Sequence, residues 1–249
     1  MRINKKQLYS LFEVQSKLNA ATCGEDWLKG ICKTGKPIAY DTAILVEAAE
    51  FIDSFDWKHW KYSGDDFENA KVELIDLLHF VISLIIYVMK IRDFKHETLT
   101  GLFDDIVVTF KYNGETKNDE YVIEGKEFDI FKVRVLLNNF IFHILALNNA
   151  VIQHSQAEAA RNSMSVLMVM MSYLNMEWNE IYELYISKNA LNYLRLNNGY
   201  QDGTYVKQWG EVEDNVVMNE IKEHLLLHDE LTFDNMYNAL HDTYHDMVV

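Results

Sequence analysis

The chain contains one proline and ten glycines in 249 residues. Proline interrupts helices and glycine weakens them, so a chain this poor in both can form long, uninterrupted helices. We therefore predict an all-α fold. Apolar residues at helical spacing predict helices at about 6–20, 43–55, 67–92, 128–153, 158–176 and 177–193, then two amphipathic helices between 219 and 249 that break near Thr232.

The chain shows no internal repeat and no clear linker, so we expect a single domain over residues 1–249. Asp41 and Thr42 are suitable N-cap residues for the second helix. A polar stretch at 111–127 interrupts the helical pattern. We interpret about 93–127 as partly an insertion or exposed loop, with a short hairpin through 121–123 as an alternative.

The formal net charge of -15 argues against two kinds of partner. An acidic chain repels nucleic acid backbones and anionic membranes, so we expect it to bind neither. Cys23 and Cys32 match no zinc spacing and no disulfide framework, which suggests reduced thiols in the cytoplasm. The N-terminus has no apolar run of signal-peptide length, and the longest apolar stretch, 77–89, is too short to span a bilayer.

Two pairs of acidic residues lie in strongly apolar helices. Glu47 and Glu50 are roughly 60° apart on one helix, so they share a face. Their neighbours are apolar almost all round, which predicts that both glutamates point into the protein. On the next helix, a narrow polar stripe runs through Glu73, Asp76, His79, Ser83 and Tyr87.

Packing these two faces together would bring four carboxylates into one site. They could not all stay ionised without compensation, and Mg²⁺ favours oxygen ligands. We predict that the site holds two or three Mg²⁺ ions, for which Mn²⁺ could substitute, through Glu47, Glu50, Glu73 and Asp76. The simpler interpretation is that these acids pair with lysines in solvent. It is the better one for a single E-x-x-E, but not for two such pairs in apolar helices.

Aromatic and basic residues follow the first acidic pair. Trp57, Lys58 and Trp60 could wall a pocket for a planar base and its phosphates, although tryptophans are more often core anchors.

A second basic group lies late in the chain. Lys188, Asn192 and Arg195 share one helix face, and Tyr200 and Lys207 follow on a glycine-bearing loop. In so acidic a chain this group is typical of an anion clamp on a mobile segment. The alternative is an ordinary basic helix end, favoured by the helix dipole.

Taken in order, these motifs resemble those of the dimeric dUTPases. The motifs are Q-x-x-L-N, E-x-x-E, W-K-x-W-K, E-x-x-D-x-x-H-F, K-N-x-L-N-x-x-R-x-x-x-G-Y and D-G-x-Y-x-K-x-W, and E-D-N follows them at 213–215. Each motif is weak alone, but several in the expected order are specific. The family belongs to the all-α NTP pyrophosphatases, with the MazG-type enzymes among its relatives.

The resemblance implies a multi-helix NTP pyrophosphatase fold with a metal-binding core and a mobile part that closes over substrate. It implies a homodimer that hydrolyses dUTP, and dUDP too, to dUMP, which keeps uracil out of DNA. The four carboxylates would be the catalytic metal ligands. The implied substrate-binding residues are Gln15, Asn19, Trp57, Lys58, Trp60, His79, Phe80, Lys188, Asn189, Asn192, Arg195, Tyr200 and Lys207.

The mechanism suggested by these parts is metal-assisted hydrolysis. Metal ions would orient the phosphates and activate the attacking water, and Glu47 would take its proton. Gln15 and Asn19 would read uracil, a pocket without room for a 5-methyl group would exclude thymine, and packing against Phe80 would exclude ribose.

Three alternatives remain at the level of sequence. One is a MazG-like pyrophosphatase of broader specificity. Another is a di-iron carboxylate bundle, suggested by D-L-L-H at 76–79. The third is an acidic interaction protein without enzymatic activity.

Overall fold

The structure is a computed structural model that describes residues 1–89, 120–122, 127–148, 153–228 and 230–248. Within these ranges the chain is predominantly helical, which confirms the predicted all-α fold. The α-helices are α1 (Lys5–Cys23), α2 (Tyr40–Asp53), α3 (Phe67–Met89), α4 (Ile130–Asn148), α5 (Gln153–Tyr173), α6 (Trp178–Asn197), α7 (Asp214–Leu227) and α8 (Phe233–Val248). Short 3-10 helices lie at Trp27–Lys29 and Tyr200–Asp202.

Two pairs of short strands accompany the helices. β1 (Arg2–Asn4) pairs antiparallel with β2 (Glu120–Val122), and β3 (Gln208–Trp209) forms a hairpin with β4 (Val212–Glu213). Among the described residues, β2 therefore pairs with the start of the chain and not within a hairpin of its own. Most of the predicted loop at 93–127 lies outside the described residues.

Helix α3 is the centre of the larger hydrophobic cluster. Apolar residues occupy most of its surface, so it can be surrounded, and it packs against α1, α2, α5 and α6. Leu74, Leu78, Ile82 and Ile85 are fully excluded from solvent. Burying each such side chain contributes about 1.5–3 kcal/mol relative to leaving it exposed. Helix α4 packs on α2 and α5 at the periphery.

Helix α6 joins this cluster to a smaller one. Its first half contributes Ile181 and Tyr185 to the larger cluster. Its second half contributes Leu191 and Leu194 to a cluster that also contains Trp209 and residues of α7 and α8. Because both clusters hold α6, the polar residues on its remaining face have fixed positions.

The start of α2 differs from the prediction. The helix begins at Tyr40, and its N-cap is Ala39, which makes no side-chain capping bond. Asp41 and Thr42 therefore lie in the first turn, and the capping prediction was wrong. Asp41 instead accepts a hydrogen bond from Asn148 at 2.8 Å, and its negative charge in the first turn is favourable to the helix dipole.

Two further helix ends also differ. Helix α5 ends at Tyr173, before the predicted end at 176, because Asn175 adopts a left-handed backbone conformation with φ 54°. Helix α7 begins at Asp214, well before the predicted start at 219. The hydrophobic pattern does not reveal this first turn, because its buried residue Asp214 is polar and is held by hydrogen bonds.

Helices α3 and α4 are both long and apolar enough to cross a membrane, with mean hydropathies of 2.1 and 1.6. The apolar stretch at 77–89, which was predicted to be too short to span a bilayer, is only part of α3. In α3, 61% of the most apolar window is buried inside the protein, whereas in α4 the figure is 28%. We interpret α3 as a core helix. The exposed apolar residues of α4 require a separate explanation.

Candidate active site

Three carboxylates meet between α2 and α3. One oxygen from each of Glu47, Glu73 and Asp76 lies within 4.8 Å of the others, and all three residues are partly buried. Glu73 and Asp76 are three residues apart on α3, which places both on the side that faces α2. A cluster of oxygen ligands this close fits a hard divalent cation such as Mg²⁺.

Burial and mutual repulsion favour protons on this cluster. Burial, followed by the charges of Asp76, Glu50 and Glu73, raises the pKa of Glu47 to about 8. Burial and the charges of Asp76 and Glu50 also raise the pKa of Glu73 to about 6, although Lys188 opposes this shift. Lys188 therefore does not fully balance the negative charge of the cluster, and a bound cation would add the missing positive charge.

Helix α6 brings one lysine to the carboxylates. Lys188 is 4% exposed, and its Nζ lies 3.0 Å from Asp76 Oδ2. The same Nζ donates to Asn215 Oδ1 at 3.0 Å. Lys188 therefore connects the carboxylate cluster on α3 with the first turn of α7.

A second cation on α6 is fixed by an acid that the sequence analysis gave no role. Arg195 donates through Nε and Nη2 to the two oxygens of Asp214, both at 2.8 Å, and Asp214 also accepts from the Tyr205 hydroxyl at 2.8 Å. Although burial opposes it, hydrogen bonding to Asp214 raises the pKa of Arg195. The bidentate contact fixes the plane of the guanidinium group. Asp214 belongs to the E-D-N motif at 213–215, but the motif alone does not show which cation the acid holds.

A chain of buried polar side chains links α1, α3 and α6. The Tyr185 hydroxyl donates to Gln15 Oε1 at 2.6 Å, and Gln15 Nε2 donates to Asn19 Oδ1 at 3.0 Å. The Tyr185 ring stacks on His79 with centroids 3.8 Å apart. Ser83 Oγ lies 3.2 Å from Asn19 Oδ1. The contacts of Tyr185 were not predicted, because an aromatic residue on a helix is most simply interpreted as core packing.

Two atoms of these polar side chains, Asn19 Nδ2 and His79 Nε2, have no hydrogen-bond partner among the described residues. His79 Nδ1 lies 2.9 Å from the Ile75 carbonyl oxygen, so Nδ1 carries a proton and Nε2 is left as an acceptor. Burial lowers the pKa of His79 to about 4, although Asp76 opposes this, so the imidazole is neutral near pH 7. One buried donor and one buried acceptor are therefore available to a ligand.

Several of these groups line one pocket with a volume of about 310 Å³. Cys23 and Tyr40 also contribute to its wall. The predicted site residues that line it are Gln15, Asn19, Glu47, Asp76, His79, Phe80, Lys188, Asn192, Arg195 and Tyr200.

Other predicted site residues lie close to this pocket but do not line it. Glu73 belongs to the carboxylate cluster and also faces a neighbouring depression that contains Glu50. Asn189 is fully buried, and both its amide atoms lack a partner among the described residues. Lys207 is exposed, with Nζ 5.7 Å from the centre of the Tyr200 ring.

The prediction that both α2 glutamates point into the protein was wrong for Glu50, which is exposed. The apolar neighbours Leu45 and Val46 are themselves 38% and 51% exposed. The apolar neighbours of Glu50 on α2 therefore did not show that Glu50 is buried. The charge of Glu50 still acts on Glu47 and Glu73.

Trp57, Lys58 and Trp60 line a different groove, which also contains Phe131 and Arg134. Asp53, the last residue of α2, accepts from Trp57 Nε1 at 3.2 Å and forms an ion pair with Lys58. This anchor holds the segment at the end of α2, so within one chain the structure does not bring these residues to the pocket with Phe80.

An all-helical protein with clustered carboxylates on two helices and buried cations on a third has the features of a metal-dependent phosphohydrolase. More specifically, the chain belongs to the dUTPase family of the all-α type, whose family model matches residues 7–200. It is therefore a dUTP diphosphatase of a divalent-metal-dependent family. No curated protein sequence matches the chain. The family assignment sets aside the di-iron and interaction-protein alternatives.

Proposed function

We propose that this dUTPase hydrolyses dUTP, and dUDP as a second substrate, to dUMP in a Mg²⁺-dependent reaction that keeps uracil out of DNA. The observation that carries the proposal is a single pocket that combines carboxylates of the α2–α3 cluster with the buried donor of Asn19 and the buried acceptor of His79.

The carboxylate cluster supports the metal part of the proposal. Glu47, Glu73 and Asp76 supply hard oxygen ligands, and we propose Glu50 as the fourth because its charge reaches Glu47 and Glu73. Two or three Mg²⁺ ions, or Mn²⁺ in their place, would be held here. When bound, the cation would neutralise phosphate charge and lower the pKa of a nearby water.

The protein's own groups would move the proton and bind the phosphates. Glu47 would accept the proton of the attacking water, since it belongs to the carboxylate cluster and also lines the pocket. Lys188 and Arg195 would stabilise the charge that develops on the departing phosphate. Asn215 and Asp214 hold these two cations in position, so little reorganisation is needed during the reaction.

The donor and the acceptor in the pocket account for a preference for uracil. Uracil presents O2, N3–H and O4, an acceptor, a donor and an acceptor. Asn19 Nδ2 can donate to a carbonyl oxygen, and neutral His79 Nε2 can accept from N3–H. Cytosine has a lone pair on N3, which would face the lone pair of His79. A site with fixed polar groups rejects a mismatched ligand strongly, because its buried groups are then left unpaired.

The first experiment is a steady-state comparison of dUTP, dUDP, dCTP, dTTP and UTP, with Mg²⁺ and with EDTA. We expect a clear preference for dUTP, measurable turnover of dUDP, and no turnover in EDTA. Equal turnover of dCTP or UTP would favour the MazG-like alternative of broader specificity. Turnover that persists in EDTA would contradict the metal part of the proposal.

The second experiment tests the uracil contact. Asn19→Asp replaces the free donor with an acceptor, so dUTP should lose roughly 100-fold or more in kcat/KM. Asn197→Asp is the matched control, since Asn197 is exposed and its Nδ2 donates to the Tyr237 hydroxyl at 2.8 Å. Equal losses in the two variants would show that Asn19 does not read the base.

We also propose that the enzyme is a homodimer. On α4, exposed residues recur with alternating steps of four and three, the spacing of a helix that packs against another helix. Among them, Phe131, Val135, Phe142 and Leu145 are 73%, 62%, 65% and 52% exposed. Together with Leu45 and Val46 on the adjacent α2, they form an apolar surface that we call the α2–α4 face. A contiguous surface of this kind is typical of a protein interface.

A second copy of the chain is the occupant that the all-α dUTPase resemblance implies. Phe131 belongs both to the α2–α4 face and to the groove with Trp57, Lys58 and Trp60. The predicted substrate-binding roles of these three residues would therefore depend on dimer formation, because they do not reach the pocket of their own chain.

Light scattering after size-exclusion chromatography tests the dimer. Phe142→Glu should give a monomer, because it places a charge in the centre of the α2–α4 face. Val216→Glu is the matched control, an exposed apolar residue (46%) on α7, outside that face. A monomeric native protein, or a dimer that survives Phe142→Glu, would contradict the proposed interface.

We further propose that the whole chain, residues 1–249, is one domain located in the cytoplasm. The sharing of α6 by both hydrophobic clusters supports the first part. The apolar character of α3 is explained by its burial in the core, and that of α4 would be explained by burial of the α2–α4 face in a dimer. Neither helix would then need a membrane, which supports the second part.

A further inference from the structure

The fold brings the two cysteines of the chain together. Cys23 is the last residue of α1, and the chain then turns back so that the Lys33 amide donates to the Cys23 carbonyl oxygen at 2.6 Å. An isolated bridge between Ile31 and Pro37 closes a second turn, which contains Cys32. The side chains of Cys23 and Cys32 are close enough that each affects the pKa of the other, and both thiols are free.

The segment between the cysteines is fixed by the core. Trp27 is 3% exposed and meets the Tyr40 ring edge-on at 6.2 Å. Gly30 has a left-handed φ of 86°, and a Cβ at this position would lie 2.6 Å from the Tyr87 hydroxyl. Any other residue here would be strained by the left-handed backbone and would require the Tyr87 hydroxyl to move. The two thiols are held near each other before any bond forms, so the entropic cost of joining them is small.

The two thiols differ in reactivity. Hydrogen bonds from the backbone and hydroxyl of Thr34, the latter at 3.6 Å from Cys32 Sγ, lower the pKa of Cys32. Burial raises the pKa of Cys23 to about 11. Because the thiolate is the nucleophile, Cys32 is the thiol that reacts first with an external oxidant, and Cys23 is the one that completes the bond.

The cysteine pair borders the substrate pocket. Cys23, Thr22 and Tyr40 line the pocket, and the Tyr40 hydroxyl beside Cys23 has no well-aligned partner among the described residues. Gln201 Nε2 donates to the Thr22 carbonyl oxygen at 2.8 Å. This bond ties the segment after α6, which carries Tyr200, to the same end of α1. A covalent bond at Cys23 would therefore act on a pocket wall and on the segment that contacts it.

We propose that Cys23 and Cys32 form a reversible disulfide within one chain when a low-molecular-weight disulfide is present, and that this bond lowers dUTP hydrolysis. The second half of the proposal rests on the proposed function of the pocket. The Cys32 thiolate attacks one sulfur of the small disulfide and releases one small thiolate. Cys23 then attacks the Cys32 sulfur of the mixed disulfide and releases the second. Two protein thiols are oxidised, one small disulfide is reduced to two thiols, and the two cysteine protons pass to the leaving thiolates.

The bond itself is tested without any nucleotide. The purified full chain is incubated with oxidised glutathione, then denatured, and its free thiols and intact mass are measured. We expect both free thiols to disappear and the mass to fall by two hydrogen atoms, with the change reversed by dithiothreitol. Cys32→Ser should form no internal disulfide, and Thr34→Val should form it several-fold more slowly. Two thiols that stay free, or bonds between separate chains, would overturn the proposal.

The effect on catalysis is measured on the same samples. Misplacement of a pocket wall by about 1 Å can cost up to 100-fold in rate, so we expect kcat/KM for dUTP to fall about 10- to 100-fold on oxidation and to recover on reduction. Cys32→Ser should keep its activity in oxidised glutathione. A complete disulfide with unchanged turnover would overturn the regulatory part. Failure of the proposed function would instead show as absence of dUTP turnover in the reduced protein.

Discussion

Asp214 acts on the pocket from outside it. It is 1% exposed, and it holds the guanidinium of Arg195 and the hydroxyl of Tyr205 at the same time. Arg195 would bind phosphate with its remaining donors, so the direction of the guanidinium group matters as much as its charge. The acid that sets this direction is therefore a positioning residue.

We expect Asp214→Asn to weaken both stability and catalysis. Removing one charge of a buried ion pair leaves the other uncompensated and typically costs about 3–5 kcal/mol of unfolding free energy. Urea denaturation measures this loss, and kinetics at a temperature where the variant stays folded measures kcat/KM. Asp202→Asn is the control, an exposed acid in the segment after α6. Normal kinetics in folded Asp214→Asn would show that Arg195 needs no fixed direction.

The carboxylate cluster predicts an unusual dependence of stability on pH. The folded pKa of Glu47 is raised from 4.5 to about 8, so between these values the folded state binds more protons than the unfolded state. In EDTA, the free energy of unfolding should therefore fall as pH rises from about 5 to about 8. Mg²⁺ should weaken or reverse this trend, because it binds the ionised cluster.

Denaturation in urea at a series of pH values, with Mg²⁺ or with EDTA, provides the measurement. Glu47→Gln should flatten the slope in EDTA because it removes the titrating group. A slope that is the same in Glu47→Gln and the native protein would show that Glu47 is not the group responsible.

Part of the site could be predicted at the level of single residues. The stripe on α3 was visible because polar residues at helical spacing stand out among apolar ones, and α6 showed its basic face in the same way. Asp214 lies in the E-D-N motif, but neither its contacts nor those of Tyr185 could be predicted, because they join residues distant in sequence. The unpaired atoms of Asn19 and His79 also depend on three-dimensional geometry.

Among the structural elements, the segment between α6 and β3 carries the largest conformational constraint. Gly199 and Gly203 both have positive φ, at 86° and 72°. A Cβ on Gly199 would lie 2.0 Å from Thr204 Oγ1, whereas a Cβ on Gly203 would have no neighbour within 4 Å. A side chain at either position would therefore strain the backbone, but only a side chain at position 199 would also collide with a neighbour.

We expect Gly203→Ala to cost about 1–2 kcal/mol through the left-handed backbone alone. Gly199→Ala should lower the free energy of unfolding by more than this, because it also displaces Thr204. It should raise KM for dUTP as well, because Tyr200, the next residue after Gly199, would shift in the pocket. Thermal unfolding and steady-state kinetics of the two variants give the comparison. An unchanged KM in Gly199→Ala would mean that Tyr200 does not bind substrate.

Helix existence was predicted well in this chain, and helix ends were not. Apolar periodicity is a property of several turns, so it locates a helix but averages over its boundaries. The start of α2 shows this, since Asp41 suits both an N-cap and a first turn. The same averaging hid the exposed part of α2, where apolar residues form a surface and not a core.

At the scale of the whole molecule, α6 makes the two hydrophobic clusters interdependent. Leu194 lies in the smaller cluster, on the same helix that carries Tyr185 in the larger one. Loss of the smaller cluster would release the second half of α6 and with it Arg195. We therefore expect the two clusters to unfold together.

Leu194→Ala should lower the free energy of unfolding by about 2–5 kcal/mol and keep a single transition. Circular dichroism and tryptophan fluorescence, recorded on the same urea titration, should give coincident curves before and after the change. Separate transitions for the two signals would show that the clusters unfold independently, and would also contradict the single-domain proposal.

The position of Trp209 has a practical consequence. Its indole is fully buried and donates to the Tyr205 hydroxyl at 3.2 Å and to the Val206 carbonyl oxygen at 3.1 Å. Through Tyr205 and Asp214, a path of three hydrogen bonds joins this chromophore to Arg195. Indole emission responds to changes in local polarity and hydrogen bonding. The enzyme therefore contains its own optical reporter, and stopped-flow fluorescence could follow the arrival of a nucleotide at Arg195 without an added dye.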